Sequence, residues 1–296
     1  MKIRKKHPFT AFDIVNTAVM IAIIVVTIYP FWFAIIGSLN NGLDYMKGGV
    51  YLLPRQITLA NFNLLFNSTS LLNAYKITIL RTVLGTLLHL LVTALFAYAF
   101  SRKYAIGRKT YATLGLITMI FSGGIIPYFV LLKQLNLINN FLVYVIPTAF
   151  SFWNVLIMQT FFREIPDSLI ESAKIDGADE YKVFFRIIIP LSTPVLAAVA
   201  LFVGVSQWNA YYDALMYVSD PKLQPIQLIL MKIVRTKEAA STIVAQAPGI
   251  FRKRNEVSSI TIQLAAMVVT AAPIILLYPF LQKYFVKGIM IGAIKG

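Results

Sequence analysis

Apolar runs of roughly 20 residues dominate the chain, separated by short polar segments. They extend from about Ile14 to Ile36, Ile77 to Phe100, Tyr111 to Leu132, Phe141 to Phe162, Ile187 to Trp208 and Ile262 to Phe285. A helix needs about 20 apolar residues to cross the ~30 Å hydrocarbon layer of a bilayer. The pattern therefore predicts an all-α, polytopic membrane protein with six transmembrane helices. The first run follows the basic tail MKIRKKH. It is longer than the roughly 7–15 apolar residues of a signal peptide and lacks a small-x-small cleavage site, so a retained membrane helix is expected. Pro127, Pro147, Pro194 and Pro273 fall inside runs, and Gly123-Gly124 precedes the first of them. Membrane helices tolerate such residues as kinks or close-packing points.

Charge orients the pattern. Lys and Arg gather in the N-terminal tail, in Arg102–Lys109, in Arg163–Arg186 and in the C-terminal tail, whereas the turn QLNLINN carries no charge. Positive charge is retained on the cytoplasmic side, so both termini are expected in the cytoplasm and the protein in the cell membrane as a multi-pass chain. Asn209–Thr261 disagrees: it is external in this topology yet holds Lys222, Lys232, Arg235, Lys237, Arg252, Lys253 and Arg254. Long loops follow the rule less strictly.

Composition agrees with a membrane protein. The 296 residues are 58% hydrophobic and 13% charged, against about 45–50% and about 25% in soluble domains. The net charge of +15 does not mark a nucleic-acid partner, because the cations sit at the ends of apolar runs. Without cysteine there is no disulfide or thiolate chemistry, and with only His7 and His89 no metal-ligand cluster is expected. No GxxxxGK[ST] loop is present, so ATP is not bound in the usual way and the chain is not expected to be an enzyme. His89 is ionisable and mid-span, which raises a functional role beside the plainer one of a hydrogen-bonded structural histidine. The apolar spans hold no Asp or Glu, which disfavours a proton- or sodium-coupled transporter.

One charged island interrupts the apolar pattern, Pro166–Pro190. Ser168 and Glu171 stand in capping-box spacing, with Asp167 at the same helix start. Gly177 offers a joint, and Asp179 a cap for a second helix through Tyr181, Val183, Phe184 and Phe185. Ser172, Ala173, Gly177 and Ala178 have little bulk, so a partner can approach the backbone.

Glu171-Ser172-Ala173, Gly177, Ile187 and Pro190 resemble the EAA loop of ABC-importer permeases, with Ser172 and Ile189 as departures. Further likeness lies in Pro54 to Phe62, in Trp208-Asn209, in Asp220 to Pro225 with Gln227, and in the C-terminal Phe280, Gln282-Lys283-Tyr284-Phe285, Gly288, Gly292-Ala293 and Lys295-Gly296. These segments are similar to the sugar-importer branch, and FSGGIIP at Phe121–Pro127 to the branch for complex polysaccharide fragments.

The resemblance implies a type I ABC importer permease fold: one membrane domain over 1–296, a core over 77–285 and a coupling loop over 166–190. It implies as partners a second permease, two ATPase subunits that hold ATP and Mg, an extracytoplasmic solute-binding protein, the lipid bilayer and a sugar substrate. No cofactor is expected in this chain. Glu171, Ser172, Ala173, Asp176, Gly177 and Ala178 would form the ATPase-coupling site, with Phe184, Phe185 and Ile187 bracing it. Aromatic and amide groups suit sugars, which makes Trp208, Asn209, Tyr211, Tyr212, Trp153 and Asn154 candidates for the substrate path; Asp213 adjoins them. Arg252-Lys253-Arg254 with Lys232 and Arg235 would favour an anionic oligosaccharide, or alternatively meet an acidic face of the binding protein. An ABC permease for another small solute and an ion-coupled secondary transporter remain the alternatives.

Overall fold

The computed structural model describes residues 10–102, 104–235 and 256–293, with side chains placed through 276. Every regular element among these is helical. In chain order they are α1 (Ala11–Ser38), α2 (Gly42–Met46), α3 (Ala60–Phe66), α4 (Thr69–Ser101), α5 (Arg108–Ile120), α6 (Ile125–Gln134), α7 (Phe152–Arg163) and α8 (Asp167–Ile175). They continue with α9 (Glu180–Leu191), α10 (Thr193–Asn209), α11 (Tyr212–Tyr217), α12 (Ile226–Arg235) and α13 (Ser259–Ala293). The chain divides into two compact units, one of residues up to Ser68 with Ile233–Ala271, the other of Thr69–Lys232 with the chain after Ala272.

The first unit contains α1, α2 and α3. The Asp13 carboxylate accepts from the backbone N–H and hydroxyl of Thr10 and so anchors the start of α1. From Ile14 to Phe31 its apolar side chains are uncovered, and only Ile36–Ser38 are buried. An apolar surface on all sides suits lipid rather than a protein core. Beyond α1, the segment expected as a polar loop is ordered by buried amides. Asn40 accepts from the backbone N–H of Arg55 and Gln56 and donates to Asp44. Asn61, fully buried, donates to the carbonyls of Ser38 and Asn40 and accepts from the Thr261 hydroxyl. The Pro54–Phe62 stretch thus ends in a short helix, α3, whose second residue ties three chain segments together.

In the second unit, α4 is the central helix, packed against α7 and α10. Ala94, Ala97, Tyr98, Phe152, Val155, Met158, Phe184 and Val199 form its core near the Ser101 end. Gly115 brings α5 close to α7, since a Cβ there would lie 2.3 Å from the Phe152 ring.

The expected spans are only partly continuous. Among the described residues, three helices are long and apolar enough to cross a bilayer unbroken: Ala11–Ser38, Thr69–Ser101 and Ser259–Leu276. The expected span Tyr111–Leu132 is a pair, α5 and α6, bent by 116° at Phe121–Gly124. Gly124 has φ +81° there, a conformation that favours glycine. The expected span Ile187–Trp208 is bent by 80° at Ser192, between Pro190 and Pro194. The expected Phe141–Phe162 is a 3-10 turn, Phe141–Tyr144, followed by irregular chain with Pro147 and then the 12-residue α7. At ~1.5 Å per residue α7 alone falls short of a ~30 Å crossing. Apolar composition marks membrane depth; proline and glycine, which remove or misdirect backbone hydrogen bonds, decide where helices break.

Asn61→Leu is expected to destabilise the first unit by about 1–3 kcal/mol, the cost of leaving buried polar groups unpaired. A lower thermal unfolding midpoint in detergent checks this; an unchanged midpoint would show that these carbonyls have other partners.

Candidate functional site

The charged island folds as a helix–glycine–helix hairpin. Helix α8 starts at Asp167 after Pro166, so Ser168 lies inside the first turn and the expected capping box does not form. Pro166 takes the cap position instead, where its fixed φ is favourable. At the other end Gly177 has φ +78°, and the amides of Gly177 and Ala178 donate to the carbonyls of Lys174 and Ala173. This is the left-handed helix stop for which glycine is best suited. No atom lies within 4 Å of a Cβ built on Gly177, so backbone angle rather than crowding within this chain calls for glycine. Asp179 caps α9 as expected, accepting from the Lys182 N–H at 2.8 Å.

One face of the hairpin is seated on the bundle and the other is open. Ile170, Val183, Phe184 and Ile188 are buried, and Ala173 and Ala178 pack partly against the same core. Phe184 meets Tyr98 at a ring distance of 5.4 Å. Of the three expected braces, Phe184 serves, Ile187 is half-buried, and Phe185 is 52% exposed. Phe184 and Ile188, four residues apart, share the inward face and leave Phe185 outside it; a π-helical turn spans the same residues. Glu171, Ser172, Asp176 and Gly177 face outward, with Ile175 86% and Tyr181 71% exposed beside them.

Glu180, at the first residue of α9, clamps the hairpin. Its carboxylate accepts from Tyr98 Oη at the end of α4, from Tyr104 Oη in the following loop and from Lys174 Nζ on α8. Burial pushes this carboxyl up, but the hydrogen bonds from Lys174, Tyr98 and Tyr104 outweigh it and hold the group down at about 2. The same contact raises the Lys174 ammonium above its ordinary value. Arg102 closes the base of the hairpin, 3.7 Å from Asp167 and donating to the Phe162 carbonyl.

A cavity of about 350 Å³ opens on the same unit, toward the opposite end of α10. Its polar lining includes Arg81, His89, Asn154, Ser206, Gln207 and Asp213, with Thr148 and Ser151 beside them. Arg81 is fully buried, pairs with Asp213 at 2.5 Å, donates to Gln207 Oε1 and the Ala210 carbonyl, and lies 4.3 Å over the Tyr144 ring. His89 Nδ1 donates to the Thr148 carbonyl at 2.6 Å, and Nε2 accepts from Asn154 Nδ2 at 2.9 Å, an assignment made from the hydrogen-bonding partners. Gln207 fits against Gly85, where a Cβ would come within 2.7 Å of its amide nitrogen.

Of the residues expected on the substrate path, Asn154 lines this cavity and the others do not. Trp208 is buried, 6.5 Å from the Tyr75 ring, and the Asn209 side chain accepts from Gln227. Tyr211 packs partly against an apolar cluster, Tyr212 is exposed, and Trp153 is 60% exposed. Sequence reasoning passed over Arg81 and Gln207. The signal for Arg81 was present: a lone arginine inside an apolar span must find a partner within the protein. Arg252, Lys253 and Arg254 of the basic loop lie outside the described residues, as do the side chains of the C-terminal motif from Pro279.

Residues 104–291 match the family described as the binding-protein-dependent transport system inner membrane component. The chain is 33% identical to the polygalacturonan/rhamnogalacturonan transport system permease protein YtcP of Bacillus subtilis (strain 168), over 96% of this chain and 98% of that one. It is 28% identical to the arabinooligosaccharides transport system permease protein AraQ of Halalkalibacterium halodurans, over 99% of each. Its fold is similar to a chain in the crystal structure of a bacterial ABC transporter involved in the import of the acidic polysaccharide alginate. There the TM-score is 0.86 and the identity 28%, covering 94% of this chain and 100% of that one.

Glu180→Gln removes the charge that holds three donors, and amide exchange over residues 174–183 should accelerate about two- to ten-fold. Because the Glu180 carboxyl lies at about 2, below its ordinary 4.5, its contribution is complete above about 4.5 and is lost as pH falls toward 2. Exchange protection factors should therefore be flat between neutral pH and about pH 5; a drop already at pH 6 would assign the hairpin's order to another group.

Proposed function

This chain belongs to the family of binding-protein-dependent transport system inner membrane components, and on that premise we propose that it imports oligosaccharides or polysaccharide fragments as one of two permease subunits of an ATP-driven transporter. The chain is a transport subunit and not an enzyme; ATP and Mg belong to a separate ATPase. The saccharide cargo is supported by relatives named for polygalacturonan/rhamnogalacturonan, for arabinooligosaccharides and for alginate.

The observation that carries the coupling role is the half-open hairpin. A docking element must be rigid toward its own subunit and accessible toward its partner. Here Ile170, Val183, Phe184 and the Glu180 clamp supply rigidity, while Glu171, Ser172, Asp176 and Gly177 lie on the uncovered side. Ala173 and Ala178 keep the two helices low, so an ATPase cleft can close around them. The basic residues flanking the hairpin support a cytoplasmic side for it by the positive-inside rule, and for both termini with it. Substrate arrives from the other side on a solute-binding protein, and ATPase closure, transmitted through α8 and α9 to α4 and α10, alternates access to the path.

Gly177→Asp tests the coupling assignment. Aspartate tolerates positive φ better than most residues, so the hairpin should still form, but a carboxylate now projects where nothing lay within 4 Å. In vesicles reconstituted with the second permease, the ATPase and the binding protein, saccharide uptake is expected to fall at least about ten-fold, with the complex still co-purifying, on the scale of a ~1.4 kcal/mol loss in docking. Normal uptake by this variant would defeat the assignment.

A further inference from the structure

The 350 Å³ cavity offers chemistry that the coupling role does not use. It lies among α4, α7, α10 and α11 of the second unit, with the hairpin at the opposite end of α10. Polar groups at membrane depth are costly against lipid, so a lining of Asn154, Ser206, Gln207 and Asp213 belongs to a wet path or a ligand rather than to the hydrocarbon.

The charges in the cavity are already matched. Arg81 donates from Nε and Nη2 to Gln207, from Nη1 to Ala210 and Asp213, and from Nη2 to Asp213, which employs all five of its N–H bonds. His89 has both ring nitrogens engaged, by Thr148 and Asn154. Both amide hydrogens of Gln207 are likewise placed, on Tyr144 and Thr148.

What remains open is a set of polar groups that both accept and donate. The Asn154 amide gives one N–H to His89, which leaves its oxygen and its second N–H without a partner among the described residues; the hydroxyls of Ser151 and Ser206 have none there either. The Asp213 side chain keeps 23% of its surface exposed, although Oδ1 and Oδ2 both meet Arg81. Phe150 and Phe202, each more than a third exposed, flank these groups with apolar ring faces. A ligand that fits must bring hydroxyls, which donate and accept, on one edge and a C–H surface on the other. A carboxylate is disfavoured, because among the described lining residues the Arg81 cation is fully engaged and the charge that keeps some exposure is the Asp213 carboxylate.

We infer that this cavity is a saccharide subsite on the translocation path, holding one uncharged sugar unit through its hydroxyls at Asn154, Ser206 and Asp213. The inference rests on the saccharide-importer reading and deepens it. The volume, near the lower end of the roughly 300–1,000 Å³ of small-molecule pockets, suits a single ring rather than a chain. An acidic polysaccharide fragment would pass this point by presenting a hydroxyl face, its carboxylates directed elsewhere.

Ser206 is the position to test, because it is exposed in the cavity and outside the Arg81 network. The experiment uses the assembled transporter in vesicles with its binding protein, and arabino-oligosaccharides and oligogalacturonides as probes. Ser206→Ala should raise the half-saturating concentration about three- to ten-fold, as loss of one hydrogen bond does. Ser206→Trp should fill the cavity and cut uptake at least about ten-fold while binding-protein-stimulated ATP hydrolysis persists. Ser206→Lys should raise the ratio of oligogalacturonide to arabino-oligosaccharide uptake about ten-fold, by adding the missing cation. If Trp prevents assembly, the Lys variant decides. Unchanged uptake by the Trp variant, or a ratio in the Lys variant within two-fold of the parent, would overturn the subsite. A parent transporter that imports neither probe nor any other saccharide would overturn the cargo reading, and the subsite with it.

Discussion

A polar side chain on a membrane helix has no water to bond with and must find its partner inside the protein. Helix α4 obeys this constraint along one face, and the second unit is arranged around the outcome. Thr78, Arg81, Gly85 and His89 recur at helical spacing, and each fixes a different segment. The Thr78 hydroxyl accepts from the Ile226 N–H, Arg81 holds Asp213 and Gln207, Gly85 admits the Gln207 side chain, and His89 links Thr148 to Asn154. At the far end Tyr98 reaches the hairpin through Glu180. Removing the Arg81 guanidinium would leave Asp213 and Gln207 unmatched, so the cluster survives only as a whole.

The same helix connects the two places where function is expected. Tyr98 and Phe184 seat the hairpin, and Arg81 and His89, two to five helical turns away, shape the cavity. Helix α10 runs the same distance, from the bend at Ser192 beside α9 to Gln207. A displacement of the hairpin therefore has two stiff elements to travel through. Bends at Phe121–Gly124 and Ser192 mark where neighbouring segments can turn without loss of regular hydrogen bonding elsewhere.

Much of the hairpin was legible in the sequence, because its determinants are local. Gly177 stops a helix through its own backbone, and Asp179 caps the next through its own side chain. Where two local signals competed, the outcome was not legible: Ser168 and Glu171 had the spacing of a capping box, but with Pro166 as cap the helix began two residues earlier than a Ser168 cap permits. Which of Phe184 and Phe185 turns inward was set by packing against Tyr98 rather than by local signals, and Ile188, four residues on, follows Phe184.

The sequence by itself determined that the chain is helical, apolar at membrane depth and equipped with one charged hairpin, since composition, period and turn chemistry act over a few residues. The tertiary structure alone decided how the cavity is built. Arg81 and Asp213 are 132 positions apart, and His89 and Asn154 are 65 apart. Only packing brings such pairs within bonding distance, and only their pairing shows that the arginine is matched within the chain rather than left open for a ligand. It also decided that the Trp208 indole is buried beside the Tyr75 ring, because an indole beside a helix end reads alike in sequence whether it faces a pore or a neighbouring ring.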